Sequence, residues 1–177
     1  MHRITAAATA LTLGVVAATA VTVASAEATT QQASAAPDSQ SHEQVQVLHF
    51  VDKVDSSSNT DIDLGVPGPS AGDQQVFSDG LFKNGRRVGT STGVSQVVAL
   101  TPTSLSAQVV STATLPAGLL TTQMSFTEVL ADGPPKVLRS AITGGTGSYH
   151  NARGECTGEF IINTDDVNVT CTIILSD

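Results

Sequence analysis

The chain has 177 residues, with sixteen acidic residues against eight basic ones and a net charge of −8. Apolar residues make up 40% of it and there is no tryptophan, so it carries material for one ordinary core and is not a low-complexity or collagen-like chain. Its basic residues cluster only at Lys83, Arg86 and Arg87, which leaves nucleic acid no electrostatic footing as a partner.

The N-terminus reads as an export signal. Arg3 supplies a positive charge, the stretch from Ile4 to Ala24 is uncharged and apolar, and Ala24-Ser25-Ala26 is a small-residue cleavage site. We therefore expect residues 1–26 to be a signal peptide and the protein to be secreted. Residues 27–43, rich in Ala, Ser, Thr and Gln, read as a disordered linker. Residues 44–177 form the folded domain. No later apolar run is long enough to span a bilayer.

Within the domain, β-branched residues dominate and turn signals recur every ten to fifteen residues. Eight strands are predicted. The first is Val45 to Val51, followed by a long loop from Asp55 to Gly72. The second, Gln74 to Lys83, turns at Asn84-Gly85 into the third, Arg86 to Leu100. After Pro102 comes the fourth, Ser104 to Leu115, which alternates Leu105, Ala107 and Val109 with Ser104, Ser106 and Gln108. The fifth spans Leu119 to Leu130, the sixth Lys136 to Thr143, the seventh Arg153 to Ile162 and the eighth Val167 to Leu175. Consecutive antiparallel strands with short turns fit an all-β, eight-stranded antiparallel up-and-down β-barrel, with room for one small ligand. A two-sheet sandwich is the alternative, without the immunoglobulin-type tryptophan.

The glycines of Gly144-Gly145-Thr146-Gly147 do not make a phosphate loop, because no Lys-Ser/Thr follows them and no helix can start there. They read instead as the turn between the sixth and seventh strands. Cys156 and Cys171 lie fifteen residues apart on either side of the turn Asn163-Thr164-Asp165-Asp166. An odd separation lets two residues face each other across a hairpin, so a cross-strand disulfide is predicted for this exported chain. Asp61 and Asp63 lack the terminal glutamate of a calcium loop and read as solvated loop acids. No metal site and no cofactor is expected. Asn168-Val169-Thr170 is a formal glycosylation sequon inside a predicted strand.

Three segments carry a family resemblance. Gly72-Asp73-Gln74-Gln75-Val76-Phe77-Ser78-Asp79-Gly80-Leu81 resembles the G-D-x-x-x-F-(S/T)-(D/N)-x-L segment of the allene oxide cyclase barrel family. Val88-Gly89-Thr90-Ser91-Thr92-Gly93 is similar to the strand that follows it there. Ala141 to Gly154 resembles the A-(I/V)-T-G-G-(T/S)-G segment of the same family and, ending in Ala152-Arg153-Gly154, equally that of plant dirigent proteins. The resemblance implies a calycin-like barrel, a homo-oligomer (dimer or trimer), and a hydrophobic small-molecule ligand or substrate. It implies a role in steering cyclisation or stereoselective coupling, in the manner of an isomerase or a dirigent protein. The alternative is a non-catalytic, lipocalin-like binding or cell-surface interaction barrel.

Asp79 reads as a pocket acid or as a turn or strand-surface acid, Arg153 as a cation for a carbonyl or anionic group or as the ion-pair partner of Glu155 or Glu159, and His49 as a base or as a satisfied barrel histidine. Phe77, Ser95 (which stands where the cyclase has Cys) and Tyr149 are the candidate ligand-binding side chains, with packing over the glycine turn as the alternative for Tyr149. The dirigent Leu-His-Asp pattern is represented by Leu48-His49-Phe50, with no acid at its third position.

Overall fold

The computed structural model describes residues 43–176. The predicted signal peptide and nearly all of the linker therefore lie outside the described residues.

The strands are β1 (Glu43–Lys53), β2 (Thr60–Ile62), β3 (Gln74–Lys83), β4 (Arg86–Leu100), β5 (Ser104–Leu115), β6 (Gly118–Val129), β7 (Val137–Gly145), β8 (Arg153–Phe160) and β9 (Val167–Ser176). Each long strand pairs antiparallel with its sequence neighbour from β3 to β9. β9 then pairs with β1, and β1 closes the ring on β3 through Val51, Asp52 and Lys53. The result is an eight-stranded closed antiparallel barrel, as the strand pattern predicts. Closure leaves no long edge to be guarded.

Two local departures from the predicted elements matter for the interior. β1 runs two residues past Val51, and strand alternation then turns Leu48, Phe50 and Asp52 toward the inside. The segment predicted as a plain loop contains β2, which pairs with β3 at Thr60–Val76, Asp61–Gln75 and Ile62–Gln74. β1 reaches only Gly80 to Phe82 of β3, and β2 covers Gln74 to Val76 at the strand's other end. The loop behind β2 is pinned by Asp73, whose carboxylate accepts from Leu64 N (2.9 Å), Ser70 N (2.7 Å) and Ser70 Oγ (3.0 Å). These bonds hold the Asp73 carboxyl below its ordinary range. Asp61 accepts from Gln75 Nε2 and Asp63 from the Gly68 amide.

The core fills one end of the barrel. Leu120, Ile142, Tyr149, Ala152, Cys156, Cys171 and Ile173 are buried together, with Leu48, Phe50 and Leu115 against them. The glycine segment builds this end. A single 3₁₀ turn at Gly147–Tyr149 drops the tyrosine ring inward. Gly147 sits at φ 62°, and a side chain there would run into the Ala117 carbonyl oxygen, so only glycine fits. Cys156 and Cys171 face each other in register and are joined as a disulfide.

Candidate functional site

Beyond the filled end, the barrel encloses a cavity of about 160 Å³. Its walls follow from the alternation of the strands. Phe50 on β1, Phe77 and Leu81 on β3, Val109 on β5, and Leu120 and Met124 on β6 all point inward and make most of the lining apolar. Phe77 reaches the interior because Gly93, its partner on β4, has no side chain. A Cβ at that position would overlap the Phe77 ring and the Val110 carbonyl oxygen. The uncharged polar lining comes from Ser91, Ser111, Thr122, Ser140 and Thr157, and Ser111 and Thr122 hydrogen-bond each other at 2.8 Å. The disulfide sulfurs of Cys156 and Cys171 complete one side.

One ionisable side chain lines this cavity, that of Asp52. Its Oδ1 is buried without a hydrogen-bond partner. Burial raises its pKa from 3.8 to about 7, helped by the negative charge of Asp79 and, more weakly, of Asp166; the Ser91 hydroxyl works in the opposite direction. Such a carboxyl exchanges its proton near neutral pH, where a general acid or base is most effective.

Asp79 stands behind Asp52. It lies on the inward face of β3, two residues from Leu81, the register partner of Asp52. Asp79 is only 7% exposed, and its Oδ1 accepts the Asp55 amide at 2.9 Å. Burial raises its pKa above the ordinary carboxylate value, the Asp55 amide opposes this, and the charges of Asp55 and Asp166 add to the rise. Asp166, in the turn between β8 and β9, accepts the Val54 amide at 3.3 Å. Two carboxylates therefore anchor the chain just where it leaves Asp52.

The side chains singled out from the sequence fall into three groups. Phe77 lines the cavity. Asp79, Ser95 and Tyr149 face inward but do not line it. Asp79 lies behind Asp52, Ser95 is four residues further along β4 than Ser91, and Tyr149 is 4% exposed within the filled end. Burial there pushes the Tyr149 phenol upward. His49 and Arg153 stand on the outer wall. His49 Nδ1 lies 3.0 Å from Thr170 Oγ1, and Arg153 pairs with Glu43 and Ser176. Their odd positions on β1 and β8 turn them away from the interior that Phe50, Asp52 and Cys156 face. Asp52 itself was not among the sequence candidates. The first-strand acid missing at Phe50 is present two residues later, and continuing the alternation Leu48, Phe50 past Val51 finds it.

Among the described residues no group of three or more His, Cys, Asp or Glu is arranged to hold a metal ion, and no helix is long and apolar enough to cross a membrane.

Comparison with known proteins follows the same barrel. A family model described as an allene oxide cyclase barrel-like domain matches residues 52–173. Among solved structures, a pyocyanin demethylase is 28% identical, with a TM-score of 0.60, covering 72% of this chain and 99% of its own. A pterocarpan synthase dirigent protein is 18% identical, with a TM-score of 0.56, covering 75% of this chain and 84% of its own. An exo-specific intermolecular Diels–Alderase is 13% identical, with a TM-score of 0.55, covering 76% of this chain and 99% of its own. The last two likenesses concern the fold. No curated protein sequence matches the chain.

Proposed function

Since this chain belongs to the family of allene oxide cyclase barrel-like domains, we propose that it binds a hydrophobic small molecule in the barrel and directs its cyclisation or coupling, with Asp52 as the acid–base group. The observation that carries this reading is a buried carboxyl with an unpartnered oxygen, set in an otherwise apolar cavity and titrating near neutral pH. A fold gains nothing in stability from such a group, whereas a reaction that moves a proton does.

In this reading the Asp52 carboxylate takes a proton from the ligand, and the carboxyl so formed gives it back as the product forms. Phe50, Phe77, Leu81, Leu120 and Met124 hold the ligand in one reactive conformation and exclude water, which raises the fraction of molecules poised to react. Asp79 is assigned a supporting part, since its charge keeps the Asp52 proton in place. His49 and Arg153 are assigned no ligand contact. The proteins named as pyocyanin demethylase, pterocarpan synthase and Diels–Alderase indicate that barrels of this shape serve different chemistries, so the shape alone does not select the reaction.

One observation favours a second reading, that of a carrier without catalysis. Asp52 has no second titratable group beside it in the lining, and a lone acid can orient a ligand without transforming it. Native mass spectrometry of the protein purified from its own host tests both. A co-purifying ligand released on unfolding is expected. Conversion of that ligand by wild type but not by Asp52→Asn identifies the enzyme, and equal binding without conversion by either identifies the carrier.

The reading places the protein outside the cell, in keeping with its disulfide and its leader-like N-terminus. It also includes self-association through the outer wall of β3 to β6. There Val76, Val94 and Val110 lie in one cross-strand row, flanked by Thr92, Gln96 and Gln108 and free of charge. Two copies of an acidic chain can meet on such a face without repulsion.

A further inference from the structure

We propose that the barrel cavity selects a cationic one-ring organic ligand, such as a quaternised or protonated N-heteroaromatic, and rejects anions. The proposal rests on the reading of the cavity as a ligand site and adds the charge of what enters it.

Three features lead there. The first is the distribution of charge. No Lys, Arg or His lines the cavity, and its one ionisable side chain is Asp52. The groups facing Asp52 from neighbouring elements are acids: Asp79 from β3 and Asp166 from the turn before β9, with Asp55 beside Asp79. The nearby bases stay out of the lining. Lys53 lies over the outer Phe82 ring at 5.2 Å, and Arg87, whose charge reaches Asp55, bonds the Gly89 carbonyl and the Thr90 hydroxyl. A ligand anion would meet several negative groups and no partner.

The second feature is the unpartnered Oδ1 of Asp52. The fold already bears the desolvation of this carboxyl, so an incoming cation restores an interaction that water no longer provides. The third is the aromatic lining. Phe50 and Phe77 stand in the same cavity, and aromatic faces attract a desolvated cation. The volume sets the size. A dry cavity of about 150 Å³ accommodates a benzene ring, and 160 Å³ is on the same scale.

Binding of three one-ring probes tests this: N-methylpyridinium, toluene and benzoate, measured on the protein by calorimetry or by displacement of a fluorescent dye. At pH 8.5, where Asp52 is ionised, the cation is expected to bind at least tenfold more tightly than the neutral isostere, and the anion least. The preference should shrink at pH 5.5, where Asp52 holds its proton, and should be lost in Asp52→Asn, which should still bind toluene. The pH comparison is made within one protein, so it stands even if the variant folds poorly. Equal or tighter binding of the neutral isostere at pH 8.5 overturns the charge selection and leaves the cavity reading in place. If none of the three probes binds at any pH, both readings fall.

Discussion

Replacing Asp52 with Asn tests the central assignment without any knowledge of the ligand. In the folded protein the Asp52 carboxyl titrates at about 7, against an ordinary value of 3.8. Between those two values the folded state holds a proton that the unfolded chain has released. Stability therefore falls as pH rises from about 4 to about 7, and levels off above that. At about 1.36 kcal/mol per pH unit, the full difference is about 4 kcal/mol. Asp52 keeps some contact with solvent, so the measured effect should lie at about 2–4 kcal/mol. Asp52→Asn keeps the shape and removes the charge. Urea unfolding of both proteins, with the disulfide intact, should show near-equal stability at pH 4. The variant should be more stable at pH 8 by about 2–4 kcal/mol, part of it through relief of Asp79. A difference between the two proteins that stays constant from pH 4 to pH 8 would refute the claim that Asp52 is a buried, proton-holding carboxyl.

Four further outcomes follow from the same geometry. Changing Cys156 and Cys171 together to Ala removes a cross-link with a separation of 15 residues, and should lower stability by about 3 kcal/mol in denaturant titration. Gly93→Ala drives a methyl group into the Phe77 ring and the Val110 carbonyl. It should cost about 1–3 kcal/mol and weaken probe binding, read by thermal melting and fluorescence. Arg153→Ala breaks an exposed pair with Glu43, so stability should change by less than about 1 kcal/mol and cavity binding not at all. Val110→Glu puts a charge on the uncharged wall of β3 to β6 and should shift sedimentation toward the monomer with the melting temperature preserved.

The barrel was legible because its signals are local. Asn84-Gly85 marks a hairpin, the alternation of Leu105, Ala107 and Val109 marks a two-faced strand, and the separation of Cys156 and Cys171 sets the register of β8 against β9. β2 was not legible. Thr60-Asp61-Ile62 carries no strand pattern of its own and forms only because β3 offers it an open edge. The site was less legible still. Whether an acid points inward depends on where its strand ends, and β1 continues past Val51 because β9 and β3 extend ladders to Asp52 and Lys53. Resemblance singled out Asp79, whereas the cavity is lined by Asp52. The two carboxyls belong to one cluster, and its depth order is a property of the closed barrel, invisible along either strand.

The disulfide and the carboxyl are best understood together, because they share a cavity. An ionised Asp52 removes about 2–4 kcal/mol near neutral pH, a large fraction of the margin of an ordinary domain. A cross-link at a separation of 15 residues returns about 3 kcal/mol, from two side chains in the same lining. A barrel with an internal void also forgoes packing that a filled core would have. In the reduced protein the void and the buried charge would both stand without compensation. The double cysteine variant should therefore be most fragile above pH 7 and should regain much of its stability when Asp52→Asn is added. A double cysteine variant equally stable at pH 4 and pH 8, or one whose stability at pH 8 Asp52→Asn leaves unchanged, would refute this account of the buried charge.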